Sequence, residues 1–240
     1  METIVRQTVF QIIGKAVSSG ATFIILGVVA RNYAEAGTGI FTLALTYLAM
    51  FNLLSDFGFN AHELRQDKFE WQKLLGSRIL WSVILIFLAL LIPLFFRKEF
   101  QAAILFGSLA ILGSAIFVTC NLIFQKEQRY DLSVLASGIG TVFGLIFYFW
   151  LSVLKLPVTF LLIANSISWI IIAVSALLLV KKFLKSFSPV YSMQYTLCLF
   201  KSSWPISATL ALNVVYFRAD SFILTFFKGL SEVGIYNVAY

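Results

Sequence analysis

The chain has 240 residues, of which 60% are hydrophobic and 12% charged, and its mean hydropathy is +0.92. A soluble domain carries about 25% charged residues and could not hide this much apolar surface in one core. A water-soluble enzyme, a disordered chain and a disulfide scaffold are therefore excluded, and an all-α, multi-pass transmembrane bundle remains. The net charge of +7 reads as basic loops facing anionic lipid rather than as a nucleic-acid surface.

A bilayer core needs about 20 mostly apolar residues per helix. The first stretch that meets this is Thr8–Ala30. It is too long for a signal peptide and lacks a small-residue cleavage site, so it reads as a retained span. It carries Lys15 and a stripe of Gly14, Ser18 and Thr22. The second span, Ile40–Asn60, ends in Leu-Ser-Asp-Phe-Gly and contains Asn52 and Asp56. A polar connection with the only histidine, His62, leads to the third span, Ile79–Phe96. The fourth is Ala102–Phe124. The fifth, Leu132–Val153, has Ser133, Ser137 and Thr141 on one stripe and Ala136, Gly140 and Gly144 on the next. Small residues four apart let helices approach closely in lipid.

The sixth span is Thr159–Val180. The basic and aromatic stretch after it, residues 181–203, reads either as an amphipathic helix on the membrane surface or as an ordinary basic loop. A seventh span covers Trp204–Phe227, and an eighth begins near Gly234. Trp71, Trp81, Trp150, Trp169 and Trp204 fall mostly near span ends and read as interfacial anchors, or for one near a cavity mouth as a sugar-stacking face. Cys120 and Cys198 have no metal-like or redox spacing.

Lysine and arginine set the orientation. With the N-terminus inside, the inner segments collect Arg6, Arg65, Lys68, Lys73, Arg78, Lys126, Arg129, Lys181, Lys182, Lys185 and Lys201. The outer segments hold Arg31, Arg97, Lys98, Lys155 and Lys228. The positive-inside rule then predicts a cytoplasmic N-terminus.

The chain also repeats itself. Residues 39–44 read Gly-Ile-Phe-Thr-Leu-Ala and residues 234–239 read Gly-Ile-Tyr-Asn-Val-Ala, 195 positions apart (234 minus 39). Each copy follows an acidic residue, Glu35 or Glu232, and each opens an even-numbered span. An even number of spans between copies makes a parallel repeat, a feature of transporters. The expected organisation is a six-helix N-terminal bundle over residues 1–200, with residues 201–240 starting a second, incomplete one. On this reading the chain is truncated soon after the second half begins.

These segments resemble the oligosaccharide flippases of the Wzx type, polysaccharide biosynthesis proteins in the superfamily that also holds the MATE exporters and the MurJ lipid flippases. The resemblance is carried by QTVFQIIGKAVSSGATFIILGVVARNYAEAGTGIFTLAL, LLSDFGFNAHELR, QKEQRYD and KSSWPISATLALNVVYFRADSFILTFFKGLSEVGIYNVAY. A proline opening the seventh span, an acid late in it and a following V-G-x-Y fall on Pro205, Asp220, Val233, Gly234 and Tyr236. The resemblance implies a two-bundle fold of twelve or more spans in the bacterial cytoplasmic membrane. It implies a non-enzymatic task, moving polyprenyl-pyrophosphate-linked oligosaccharide between leaflets by alternating access. Membrane lipids would be its surroundings, a proton or sodium gradient its coupling partner, and neither a cofactor nor nucleic acid is called for.

Charged side chains inside spans are costly, so those present are the candidate functional residues. Lys15, about two turns into the first span, is placed to meet a phosphate, or else snorkels to the interface. Arg218, near the middle of the seventh span, is the leading candidate for a glycolipid contact because a guanidinium grips phosphate with paired hydrogen bonds. The alternative for Arg218 is a structural pair with an acid such as Asp56. Asn213 and Asp220 share a helix face that would line the cavity. Asp220 and Asp56 are the candidate ion-coupling acids, Asp56 having the alternative of pairing with Arg65. His62 reads as a solvated loop residue, and no catalytic or metal-binding set is visible. A MATE-like cation exporter would present acids to its cargo, and a membrane-embedded glycan-processing enzyme would need a large outer loop or an in-membrane acid, His or Arg set. The interior Lys and Arg fit an anionic cargo better.

Overall fold

The computed structural model describes residues 2–66, 70–95, 98–181, 183 and 188–239; for residues 2–6, 95, 214, 215, 217, 218 and 239 it describes the backbone alone. The described residues form helices and turns. The helices are α1 (Glu2–Asn32), α2 (Glu35–Asp56), α3 (Phe59–Glu63), α4 (Trp71–Leu91), α5 (Lys98–Gly107), α6 (Leu109–Lys126), α7 (Tyr130–Val153), α8 (Leu161–Val180), α9 (Met193–Phe227) and α10 (Leu230–Ala239). Six stretches are long and apolar enough to cross a membrane: Gln7–Asn32, Glu35–Glu63, Trp71–Leu94, Lys98–Lys126, Tyr130–Val153 and Val158–Val180. The expected all-α, multi-pass bundle is the fold. In hydrocarbon this is what an apolar chain must do, because a helix satisfies its backbone polar groups internally.

The bundle has a centre and a rim. In the second and fourth stretches 61% of the most apolar window is buried, against 11% in α1. Ile40, Phe41, Leu43, Ala44 and Leu48 of α2 pack with Ala103 and Ile104 of α5, Ile111 of α6 and Leu161 and Leu162 of α8. α1 lies outside, seated on α7 where a Cβ on Gly14 would come within 2.8 Å of Val134. The stripe Ala136, Gly140, Gly144 is a close helix contact. A Cβ on Gly140 would meet Ile172 at 2.1 Å, and the Ser168 hydroxyl donates to the Gly140 carbonyl at 2.9 Å.

Several boundaries differ from the sequence expectation. The second span does not run on to Asn60. It stops at Asp56, turns through Phe57 and Gly58, both with positive φ (46° and 72°), and restarts as α3. His62 therefore sits in a short helix, its Nδ1 3.5 Å from Glu63. The third span begins earlier, at Trp71, so Arg78 belongs to α4 rather than to a loop. The fourth is interrupted at Ser108, whose hydroxyl turns back to the Leu105 carbonyl at 3.0 Å. Of the stretch 181–203, residues 182 and 184–187 lie outside the described residues, and its later part is helical. Ser192 caps α9 by accepting from the Tyr195 amide, and the helix runs on from Met193 through Pro205 into the expected seventh span. The division expected at residues 200 and 201 falls inside this helix.

The two copies of the repeat touch. α10 lies along α2 with the glycines at the crossing: a Cβ on Gly39 would come 1.9 Å from the Leu230 carbonyl oxygen, and one on Gly234 would come 2.4 Å from that of Glu35. Only glycine admits backbones this close. One turn further on, the Asn237 amide donates to the Thr42 hydroxyl at 3.2 Å, across a separation of 195 positions. Matching positions of the two copies thus face one another.

Candidate functional site

A partly open cavity lies between the rim helix α1 and the rest of the bundle. About 460 Å³ of space lies between α1, α6, α7 and α8, lined by Gln11, Gly14, Lys15, Ser18, Phe117, Asn121, Gln125, Tyr130, Ser133, Val134, Ser137, Thr141, Trp169 and Ile172. A smaller space of about 180 Å³ continues it towards α2, sharing Ser18, Thr141, Trp169 and Ile172 and adding Thr22, Tyr148, Asn165 and Ser168. Its origin is visible in the helix registers. On α7 the Ala136–Gly140–Gly144 stripe seals against α8, which turns Ser133, Ser137 and Thr141 towards α1. On α6, Asn121 and Gln125 stand one turn apart and reach the same space.

The groups lining the cavity divide into two sets. Ser133 donates to Asn121 at 2.7 Å, and Ser18, Thr22 and Ser137 donate to carbonyls of their own helices at 3.0 to 3.1 Å. The side chains of Gln11, Lys15 and Gln125 have no hydrogen-bond or ion-pair partner among the described residues. Lys15 is exposed to the cavity, and among the lining residues it alone bears a formal charge. The wall is therefore mostly apolar surface set with hydroxyls and amides, with one ammonium and no carboxylate among the described lining residues. Trp169 adds an aromatic face, with its ring 6.3 Å from that of Phe117. Trp169 thus lines the cavity.

The other sequence candidates lie elsewhere. Asp56 pairs with Arg78 at 2.8 Å, not with Arg65. Asn213 is exposed on α9. Asp220 is half-buried between α9 and α10, where the Tyr236 hydroxyl and the Ser221 amide donate to it. The Arg218 side chain lies outside the described residues. Lys15 is thus the one candidate that the cavity lining includes.

Arg78 was hidden from the sequence reading by its place in an apparent loop. It is fully buried, and its Nη2 donates to Asp56 and, at 2.7 Å, to Asn60. Beside it, Tyr195 donates to the buried Glu63 carboxylate at 2.8 Å. Burial and then this hydrogen bond raise the Tyr195 phenol above its ordinary range, so it stays protonated as the donor. Asn121 and Gln125 were also missed, although the four-residue spacing of the two amides is a signal open to reading. Trp81 is no interfacial anchor. It donates to the Leu54 carbonyl at 3.0 Å and packs on Phe57 and Phe200.

A multi-pass helical bundle with a cavity between its helices, and matching repeat segments in contact, defines a helical membrane protein. The chain matches the family model described as polysaccharide biosynthesis protein over residues 4–240 and belongs to that family. Searches of curated proteins and of solved structures return no significant match.

Proposed function

We propose that this protein is a flippase that carries polyprenyl-pyrophosphate-linked oligosaccharide across the bacterial cytoplasmic membrane by alternating access. The carrying observation is the cavity: hydroxyls, amides and one ammonium, with no carboxylate among the described lining residues, set into an otherwise apolar wall between the helices. A hydrated glycan crossing about 30 Å of hydrocarbon must exchange water for protein hydrogen bonds. Gln11, Asn121, Gln125 and the hydroxyls of α7 offer those bonds, Trp169 offers a face for a sugar ring, and Lys15 attracts the pyrophosphate. A cation exporter would need the opposite charge on this wall. The lipid tail stays in the bilayer throughout.

Membership in a polysaccharide biosynthesis family supports the cargo class. The basic segments and the N-terminus are assigned to the cytoplasmic side by the positive-inside rule. The facing repeat copies support reading residues 201–240 as the opening of a second bundle. In this scheme Asp220 is the acid available for proton or sodium coupling, and Arg218 and Asn213 remain cargo contacts on sequence grounds.

The test is export in cells that depend on this protein for surface polysaccharide. Lys15→Ala and Lys15→Glu should accumulate lipid-linked precursor in the inner leaflet and lose surface polysaccharide at normal protein abundance. Lys15→Arg should retain export. Normal surface polysaccharide in Lys15→Glu would overturn the assignment.

A further inference from the structure

The break between α2 and α3 is an unusual piece of backbone. Phe57 and Gly58 both occupy the left-handed region, with φ of 46° and 72°. Glycine does so freely, but a bulky residue does so at a cost and only where its surroundings over-determine it. One side chain bridges the two sides of the break. The Arg78 Nη2 donates to Asp56 Oδ1, on the last residue before the break, and to Asn60 Oδ1, on the second residue of the helix after it. The guanidinium carbon sits 5.7 Å from the centre of the Phe59 ring. Arg78 is 0% exposed, so solvent does not compete for these bonds.

The break is also where α9 is seated. A Cβ on Gly58 would come 2.7 Å from Ile206, and the Phe200 ring lies 4.7 Å from Phe57 and 5.1 Å from Phe59. Tyr195 reaches Glu63 of α3, and the hydroxyls of Thr196 on α9 and Ser77 on α4 share a hydrogen bond of 2.8 Å. α9 in turn carries α10, which pairs with α2 at the opposite end. The angle at the break therefore sets the seat of the helix that joins the two repeat copies.

We propose that Arg78 is a positioning residue, a staple across the Phe57–Gly58 break that fixes how α9 seats against the bundle during transport. The transport part rests on the flippase reading, while the staple itself is testable without it. The staple opens when Asp56 or Asn60 moves away from Arg78.

The experiment measures the seating of α9 directly. The full chain in lipid nanodiscs, with Cys120→Ala, carries one spin label on the natural Cys198 of α9 and another on Leu135→Cys, an exposed position of α7. Distance distributions are compared with and without Arg78→Met. The parent should give one narrow distance. Arg78→Met should add a second population of about a tenth of the molecules or more, and Arg78→Lys, which keeps the buried cation, should restore the narrow distribution. If Arg78→Met does not fold, Asn60→Ala removes only the far half of the staple and should produce the same second population. A single narrow distance in a folded Arg78→Met, or in Asn60→Ala where Arg78→Met does not fold, overturns the proposal. Lys15→Ala should leave the distances unchanged while abolishing export. Normal export in that variant would count against the flippase reading without touching the staple.

Discussion

Arg78 and Lys15 are both cations carried by apolar helices of one bundle, and their surroundings are opposite. Arg78 is sealed from solvent, with a carboxylate and an amide oxygen on its Nη2 and a phenyl ring beneath it. Lys15 faces open space, with hydroxyls and amides around it and no acid in the wall. A paired, buried charge is structural by default, because removing its partner leaves an uncompensated ion in a medium of low dielectric. An unpaired charge on a polar cavity can attract something from outside. The sequence pattern set Lys15 within a span and Arg78 in a loop, the reverse of their burial; the partners separate the two roles.

The sharpest way to break this comparison is to delete the structural cation. Arg78→Ala leaves Asp56 without its counter-charge and should destabilise the protein by about 3–5 kcal/mol. The loss would appear as reduced membrane abundance and a lower thermal midpoint in detergent. Asp56→Ala should cost a comparable amount, because it leaves the guanidinium buried and unpaired. The double variant should cost less than the two single losses added together, since the members of one pair are not independent. Additive losses would mean that the pair is not the unit described.

A middle-sized effect belongs to the helix crossing. Gly39→Val must push α2 and α10 apart, because even its Cβ would overlap the Leu230 carbonyl. Overpacking of this kind typically costs about 1–3 kcal/mol, read as a drop in thermal midpoint. The same substitution at Gly138, where a Cβ meets nothing within 4 Å, should leave the midpoint near that of the parent. Smaller still is the bond between the repeat copies. Thr42→Val keeps the shape and removes the hydroxyl that accepts from Asn237, and interhelical hydrogen bonds in membranes average about 0.6 kcal/mol. A thermal cycle with Asn237→Ala isolates that quantity, and a coupling above about 2 kcal/mol would show that the contact carries more than a single hydrogen bond.

Most of the fold was legible in the sequence because its cause is local. Twenty-residue apolar runs demand helices, and each of the six spanning stretches overlaps an expected span. What was not legible came from tertiary contacts. The stop at Asp56 leaves the apolar run unbroken, so hydropathy carried the second span on to Asn60. The early start at Trp71 is hidden because Gln72, Lys73 and Arg78 make a helical segment look like a loop. The site was half legible. Lys15 stood out as a charge inside a span, and the α7 stripes stood out as small residues four apart. Which stripe would seal and which would line a cavity depended on where α8 lay, which no period in α7 encodes. Asp220 showed as a charge in a span, but its engagement by Tyr236 depends on α10 folding back beside α9.

The smallest expected stability effect is the most informative about the cavity. Lys15→Ala removes a cation that has no partner among the described residues and stands exposed to the cavity, so no bond is lost and no ion is stranded. Its thermal midpoint should stay within about two degrees of the parent, in contrast to the Arg78 variants. This contrast is what makes the two cations different in kind rather than in degree. If Lys15→Ala fell in stability as far as Arg78→Ala, then Lys15 would be holding helices together, and the polar wall around it would be a packing surface. If it keeps its stability and loses export, the ammonium is there for something that passes through. Lys15→Met, which restores the apolar stem without the charge, separates those outcomes further. It should match Lys15→Ala in export and the parent in stability, because only the charge is predicted to matter to the cargo.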